Sequence, residues 1–254
     1  MVKTSFLAIF ASVAVAQHKI INGTEAPIGK YLYVTGLREK PTSNNRCGGI
    51  LIAPKYVLTG TFCSDALAAY TSVGSHYLSG DRDGERLKVV KRIVHPHFNR
   101  TTNEYDFAIL ELESASKVTP VNVAFSDNDV VNATQGTVRG WGKFSNSGQL
   151  SPVLREGNVK IWSNLDCEKA VKHIGPVFSS MICAGGGDKD WCNGDHGAPL
   201  TVSKGGDEYV VGVASWGGFC ASKNVPSVYA RVSSARDFIQ PYLPTQPTTT
   251  KPTC

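Results

Sequence analysis

Acid–base or nucleophilic chemistry in this chain would come from a few segments in which a titratable side chain lies among glycines or apolar residues. Gly194-Asp195-His196-Gly197-Ala198-Pro199 puts an imidazole between glycines, and Tyr105-Asp106-Phe107-Ala108-Ile109-Leu110 puts a lone carboxylate ahead of an apolar run. Leu58-Thr59-Gly60-Thr61-Phe62-Cys63 ends instead on an aromatic ring that neither accepts nor donates a proton. His196 is a conceivable nucleophile toward an acyl carbon, but nothing beside it in sequence orients or activates it, and an unassisted nucleophile is weak. Asp106 reads in two ways. It is an orienter for a catalytic imidazole, which is missing beside it, or a buried carboxylate held by backbone amides and Ser215, because a buried charge needs partners. We adopt the second. His76, His95, His97 and His173 show no pair one helical turn apart of the kind that holds a metal. His95-Pro96-His97 alternates as a strand does, so both rings share a face and packing is their expected role. No metal and no other cofactor is expected.

The elements that position these groups read as β-structure. Short apolar runs such as Gly49-Ile50-Leu51-Ile52, Lys88-Val89-Val90, Ala108 to Leu112, Gly136 to Arg139 and Tyr209 to Ala214 recur between Gly, Pro, Asn and Asp turns. This spacing, rich in β-branched residues, argues an all-β barrel or sandwich. A helical pattern occurs near the end, where Ser233-Ser234-Ala235-Arg236-Asp237 offers a start and Phe238, Ile239 and Tyr242 an apolar face. The 254 residues suffice for one large all-β domain or two small ones. With 41% hydrophobic and 19% charged residues the chain has an ordinary globular balance. A net charge of +5 without a Lys/Arg block argues against nucleic acid as partner.

Residues 1–16 have the form of a signal peptide: a basic Lys3, an apolar stretch from Phe6, and Ala14-Val15-Ala16 before the expected cut. That stretch falls short of the roughly 20 apolar residues of a membrane span, so secretion is expected and membrane anchoring is not. Residues 17–19 read as a short propeptide. From residue 244 to 254 the chain turns into a Pro/Thr-rich tail that has nothing with which to build a core, a candidate for O-glycosylation. Asn22, Asn99 and Asn132 open sequons for N-linked glycans. Seven cysteines in a secreted chain suggest disulfides, but six of them alone allow 15 connectivities, and spacing does not choose among them. Cys254 is left over, as an intermolecular link or an unpaired thiol.

From Ile20 to residue 243 the chain resembles the trypsin-like (chymotrypsin-fold) serine proteases. The landmarks are Cys47-Gly48-Gly49, Val94-His95-Pro96, Gly140-Trp141-Gly142, Met181-Ile182-Cys183-Ala184 and Ser215-Trp216-Gly217, in matching order and spacing. The resemblance implies two six-stranded antiparallel barrels with a short C-terminal helix and a site in the cleft between them. It implies the disulfides Cys47–Cys63, Cys167–Cys183 and Cys192–Cys220. It also implies a damaged site, because that family has serine where His196 stands and histidine where Phe62 stands, leaving Asp106 as the surviving triad member. Losing a nucleophile or a base costs about 10⁶-fold in a comparable triad. Asp190 matches the aspartate at the base of a basic-specificity pocket, yet Trp191 replaces a small residue and Ser227 a glycine, and Gly217 is retained opposite. Such a pocket is expected to be walled off. Asp195 matches the residue that receives the new N-terminal ammonium after zymogen cleavage, so an Ile20–Asp195 lock is expected if Lys19-Ile20 is cut.

A signal peptide, a three-residue propeptide and a broken triad together are similar to the secreted glucanase inhibitor proteins of oomycete plant pathogens. That similarity implies a non-catalytic partner of plant endo-β-1,3-glucanase in the host apoplast, monomeric apart from its complex. Phe219, Trp191, Tyr105 and Arg100 are the candidate anchors on the cleft rim. The alternatives are a pseudoprotease that binds another protein or an anionic carbohydrate, and a residually active peptidase.

Overall fold

A computed structural model describes residues 23–64, 68–131, 135–143, 147–218 and 220–244. Strand β1 (Thr24–Glu25) lies on the second half of the molecule, and the chain then builds a first barrel. Its strands are β2 (Val34–Arg38), β3 (Cys47–Ala53), β4 (Tyr56–Thr59), β5 (Tyr70–Val73), β6 (Glu85–Val94) and β7 (Ala108–Leu112). They close in the order β2-β3-β4-β7-β6-β5, every pairing antiparallel. The second barrel uses β9 (Gln135–Gly140), β10 (Arg155–Trp162), β11 (Met181–Gly185), β12 (Pro199–Lys204), β13 (Asp207–Trp216) and β14 (Pro226–Arg231). It runs β10-β11-β14-β13-β12-β9 and closes where β9 pairs with β10, again antiparallel. Between the barrels, β8 (Asn122–Val123) adds to β13 in parallel. Closure leaves neither ring with a free edge.

Continuous apolar runs become the strands buried on both faces: all seven residues of β3 are buried. Ile50, Leu51, Val57, Leu58, Ile109 and Leu110 fill the first core, and Val138, Ile182, Leu200, Val211 and Tyr229 the second. Each such side chain contributes about 1.5–3 kcal/mol by burial. The expected C-terminal helix is present as α3 (Arg236–Ile239) between single 3₁₀ turns. Its Ile239 is buried, Phe238 lies 4.6 Å from the His95 ring and Tyr242 5.1 Å from Tyr56, so the end of the chain packs on the first barrel. Two helices lie outside the sequence reading: α1 (Asn128–Val131) and α2 (Asn164–Val171). In α2 only Cys167 and Val171 face inward, too few to leave a helical period in the sequence, although Ser163 caps it by accepting from the Asp166 N–H.

The three disulfides are Cys47–Cys63, Cys167–Cys183 and Cys192–Cys220, the pairing the resemblance implies. Cys47–Cys63 closes a 16-residue separation and fastens the turn bearing Phe62 to β3. In the chain-entropy account a loop of this size is worth about 3 kcal/mol. Replacing both cysteines by alanine is therefore expected to remove about that much, read as a lowered urea midpoint, with a somewhat larger m-value because the unfolded chain is released to expand. Residues 1–22 and 245–254, with the expected signal peptide and propeptide, Ile20, Asn22 and Cys254, lie outside the described residues, as do Asn132 and Phe219.

Candidate functional site

His196 sits on a turn that joins the two barrels. Its carbonyl accepts from Gly48 N–H at 2.7 Å on β3, while Gly197 N–H donates to Ala214 O at 2.8 Å on β13. Gly197 adopts φ +80°, and a Cβ there would collide with Thr59 Oγ1 and the Gly48 carbonyl, so the turn needs a glycine for both reasons. Phe62 occupies the turn after β4, and Asp106 lies just ahead of β7. The fold thus brings Phe62, Asp106 and His196 to one place from segments 44 and 90 residues apart.

The three do not form a proton relay. The His196 ring lies 5.5 Å from Phe62 on one side and 4.9 Å from Trp191, edge to face, on the other. Burial pushes its pKa below the ordinary histidine value, against the pull of the Asp106 charge. Asp106 is buried, accepting from Thr61 N–H at 2.7 Å and from Ser215 Oγ–H at 2.5 Å. Among the described residues no hydrogen bond links its carboxylate to His196. The two donors satisfy a charge that would otherwise be costly to bury.

Below the turn, the pocket over Asp190 is filled. Ser227 Oγ–H donates to Asp190 Oδ2 at 2.9 Å, and Trp191 N–H donates to Oδ1 at 2.9 Å. Burial nevertheless raises the Asp190 carboxyl to about 7. A Cβ on Gly217 would come within 3.1 Å of Ser227 Oγ, so the serine stands against the opposite wall. Trp191 is itself buried among Ala184, Ala214 and Tyr229 of the second core. What remains is a cavity of about 140 Å³ bounded by Trp191, His196, Trp216 and Gly217, below the roughly 300–1,000 Å³ of small-molecule sites. Sequence reasoning quoted Trp216 as a landmark but missed it as a wall of this cavity. Its signal was position alone.

Asp195 faces away from the cleft, fully buried. Its Oδ1 accepts from Gly142 N–H at 2.6 Å and Oδ2 from Cys192 N–H at 3.1 Å. Burial raises its carboxyl to about 6, and among the described residues no cation lies within ion-pair distance.

At the rim, Phe62 is 63% exposed. Sequence reasoning treated it only as a lost base. Of the anchors expected there, Trp191 is buried, and Tyr105 is half-buried and stacked on His95 at 4.8 Å. Arg100 is exposed. His95 accepts at Nδ1 from His97 N–H, and burial followed by the nearby His97 lowers its pKa to about 4, so it packs as a neutral ring. Asn99 is exposed, its Oδ1 accepting from the N–H groups of Thr101 and Thr102. Among the described residues there is no group of three His, Cys, Asp or Glu able to hold a metal, and no helix long and apolar enough to cross a membrane.

Comparison with known proteins adds a lineage to this geometry. The Trypsin family profile matches residues 20–239. Glucanase inhibitor protein 1 of Phytophthora infestans is 38% identical over 240 residues, covering 92% of each chain. Glucanase inhibitor protein 2 of Phytophthora sojae is 39% identical over 236 residues, 89% of this chain and 80% of its own. Trypsin 5G1 of Aedes aegypti is 36% identical over 231 residues, 87% and 84% of the two chains. Overall identity therefore hardly separates a protein named as an inhibitor from one named as a trypsin. With both barrels, all three cross-links and the whole span from Ile20 to Ile239 accounted for, the chain belongs to the trypsin family.

Proposed function

We propose that this chain is a secreted protein that performs no proteolysis and inhibits a plant endo-β-1,3-glucanase by covering its substrate groove. The observation that carries the reading is the filled cleft: the position of a nucleophile holds a half-buried imidazole between two aromatic rings, the specificity pocket is plugged by Trp191 and Ser227, and Phe62 projects from the mouth. An exposed aromatic on a rigid, disulfide-fastened turn is the kind of anchor on which protein interfaces concentrate their energy. The names of the Phytophthora relatives support a glucanase as the partner, and its plant origin and endo-β-1,3 specificity are part of the proposal. A stable complex would bury about 1,200–2,000 Å² in all. On this reading residues 1–16 are removed as a signal peptide, the glucanase is met outside the cell, and Asn99 is open to glycosylation.

An Ile20–Asp195 lock belongs to the same proposal, and the surroundings of Asp195 support it. Gly23 O accepts from Arg155 at 2.5 Å, Arg155 pairs across the ladder with Gly140, and Gly140 packs directly on the Asp195 carboxylate. Three residues reach about 10 Å, and the chain at Gly23 enters this same network, which supports an amine at Ile20 reaching the buried acid once residues 17–19 are gone.

The test is to titrate purified mature chain into a plant endo-β-1,3-glucanase while reading binding and glucan hydrolysis in one sample. Saturable binding with loss of hydrolysis is expected, and Phe62→Ala is expected to raise Kd at least about 10-fold. Undiminished hydrolysis at saturating chain would sink the proposal. In parallel, ester and casein hydrolysis should equal buffer and be indifferent to covalent serine reagents. A rate abolished by such a reagent would point to residual peptidase activity.

A further inference from the structure

A larger cavity lies elsewhere, a solvent-open trough of about 640 Å³ that shares no lining residue with the vestigial pocket. Its floor is Arg139 on β9, whose side chain is only 2% exposed. The guanidinium reaches Glu156 at 3.2 Å, Glu208 at 2.7 Å, and Tyr33 Oη and Thr201 Oγ1 at 3.0 Å each, and lies 3.5 Å over the Tyr31 ring. Nε, Nη1 and Nη2 are all engaged, so its fork is not free for an incoming anion. The two glutamates are in turn committed to the arginine, which leaves little for a cation.

The walls carry the same message. The charges around the trough cancel, with Lys30, Arg139 and Lys189 against Glu156, Asp207 and Glu208. The uncharged polar groups include Ser203 near the end of β12, Thr137 within β9, whose hydroxyl donates to Asn158 Oδ1 at 3.2 Å and leaves that amide's N–H groups to donate, and Asn122 on β8, whose Nδ2 donates to the Glu208 carbonyl at 3.4 Å and leaves its Oδ1 to accept. Such groups both donate and accept, as a sugar hydroxyl does. The volume falls within the range of about 300–1,000 Å³ usual for small-molecule sites.

We propose that this trough is a binding site for a neutral oligosaccharide. It follows from a charge-balanced, donor–acceptor-mixed surface built on a pre-organised buried clamp, and it stands whether or not a glucanase is the protein partner. Recognition rests on Asn158, Asn122, Ser203 and Asp207 at the rim, while Arg139 and its partners hold the floor rigid.

The experiment is calorimetric or NMR titration of the mature chain with three glucose pentamers: laminaripentaose, cellopentaose and maltopentaose. Saturable binding of at least one is expected. Asn158→Ala and Asn122→Ala should each weaken it about 3- to 10-fold, the worth of a lost neutral hydrogen bond. Leu165→Ala, on the exposed surface of α2, should leave it unchanged. Should an asparagine variant fail to fold, as seen in its melting curve, Ser203→Ala and Asp207→Asn give the same readout from exposed positions on the facing strands. Absence of saturable binding for all three sugars at millimolar concentration would overturn the proposal. So would binding that survives the rim substitutions, or that is lost equally in Leu165→Ala.

Discussion

Arg38→Ala is expected to cost about 3–5 kcal/mol, a large part of the stability of an ordinary domain. Arg38 closes β2 with no exposed surface, and among the described residues no carboxylate lies within ion-pair distance. Instead it donates from Nε to Asn45 Oδ1 at 2.6 Å, and from its terminal nitrogens to the carbonyls of Pro41, Tyr77, Leu78 and Gly80. Burial, and then the neighbouring Arg86, lower its pKa to about 10, which still leaves it charged at neutral pH. One side chain thus fastens the loop after β2 to the loop after β5. Removing it creates a cavity, and the Pro41 carbonyl loses the donor it has here. Arg38→Lys keeps the charge but loses the planar fork, so an intermediate loss is expected. Urea unfolding followed by far-UV dichroism decides the matter. A loss below about 1 kcal/mol would mean that water substitutes for the guanidinium.

Cleavage at Lys19-Ile20 is expected to change how stability depends on pH. In the chain beginning at Gln17, Asp195 with its carboxyl raised to about 6 and Asp190 raised to about 7 both hold a proton more tightly folded than unfolded. Stability from these groups is therefore full below about pH 4 and is lost as pH rises through 6 and 7. For Asp195 the loss reaches about 3 kcal/mol at neutral pH, because each tenfold tightening of its hold on the proton corresponds to about 1.4 kcal/mol. An Ile20 ammonium beside the carboxylate would lower that pKa and recover most of the loss. The processed chain should then melt higher at pH 7, and the gap should close toward pH 4. Asp195→Asn sharpens the contrast, since it should stabilise the unprocessed chain at pH 7 and destabilise the processed one. Coincident melting profiles for the two forms from pH 4 to 8 would refute the lock.

The features legible in the sequence were those carried by local punctuation. Short β-branched runs between turns argued a barrel or a sandwich, and it was the resemblance carried by the glycine and cysteine landmarks that implied two barrels. The unsuited chemistry of Phe62 and His196 was visible as residue type alone. What stayed hidden depends on partners far along the chain. The Arg139 clamp joins residues 62, 69 and 106 positions away, and Arg38 reaches 39 to 42 residues ahead. Neither arginine is distinguishable in sequence from a solvated one. Exposure was equally invisible: Trp191 was expected at the rim and is buried, whereas Phe62 is the ring that faces solvent. Helix α2 escaped because two inward residues in eight do not make a period.

The turn bearing His196, stitched to Gly48 on one barrel and Ala214 on the other, has an evolutionary consequence. The backbone at position 196 is held more tightly than its side chain, because that carbonyl and the next N–H are what join the barrels. Gly197 must remain, because at φ +80° a Cβ would strike Thr59 Oγ1 and the Gly48 carbonyl and prise the two halves apart. Among homologues, position 197 is expected to hold glycine more strictly than position 196 holds histidine, and a lesion in the seam is expected to register as lost yield of folded protein before any change in binding.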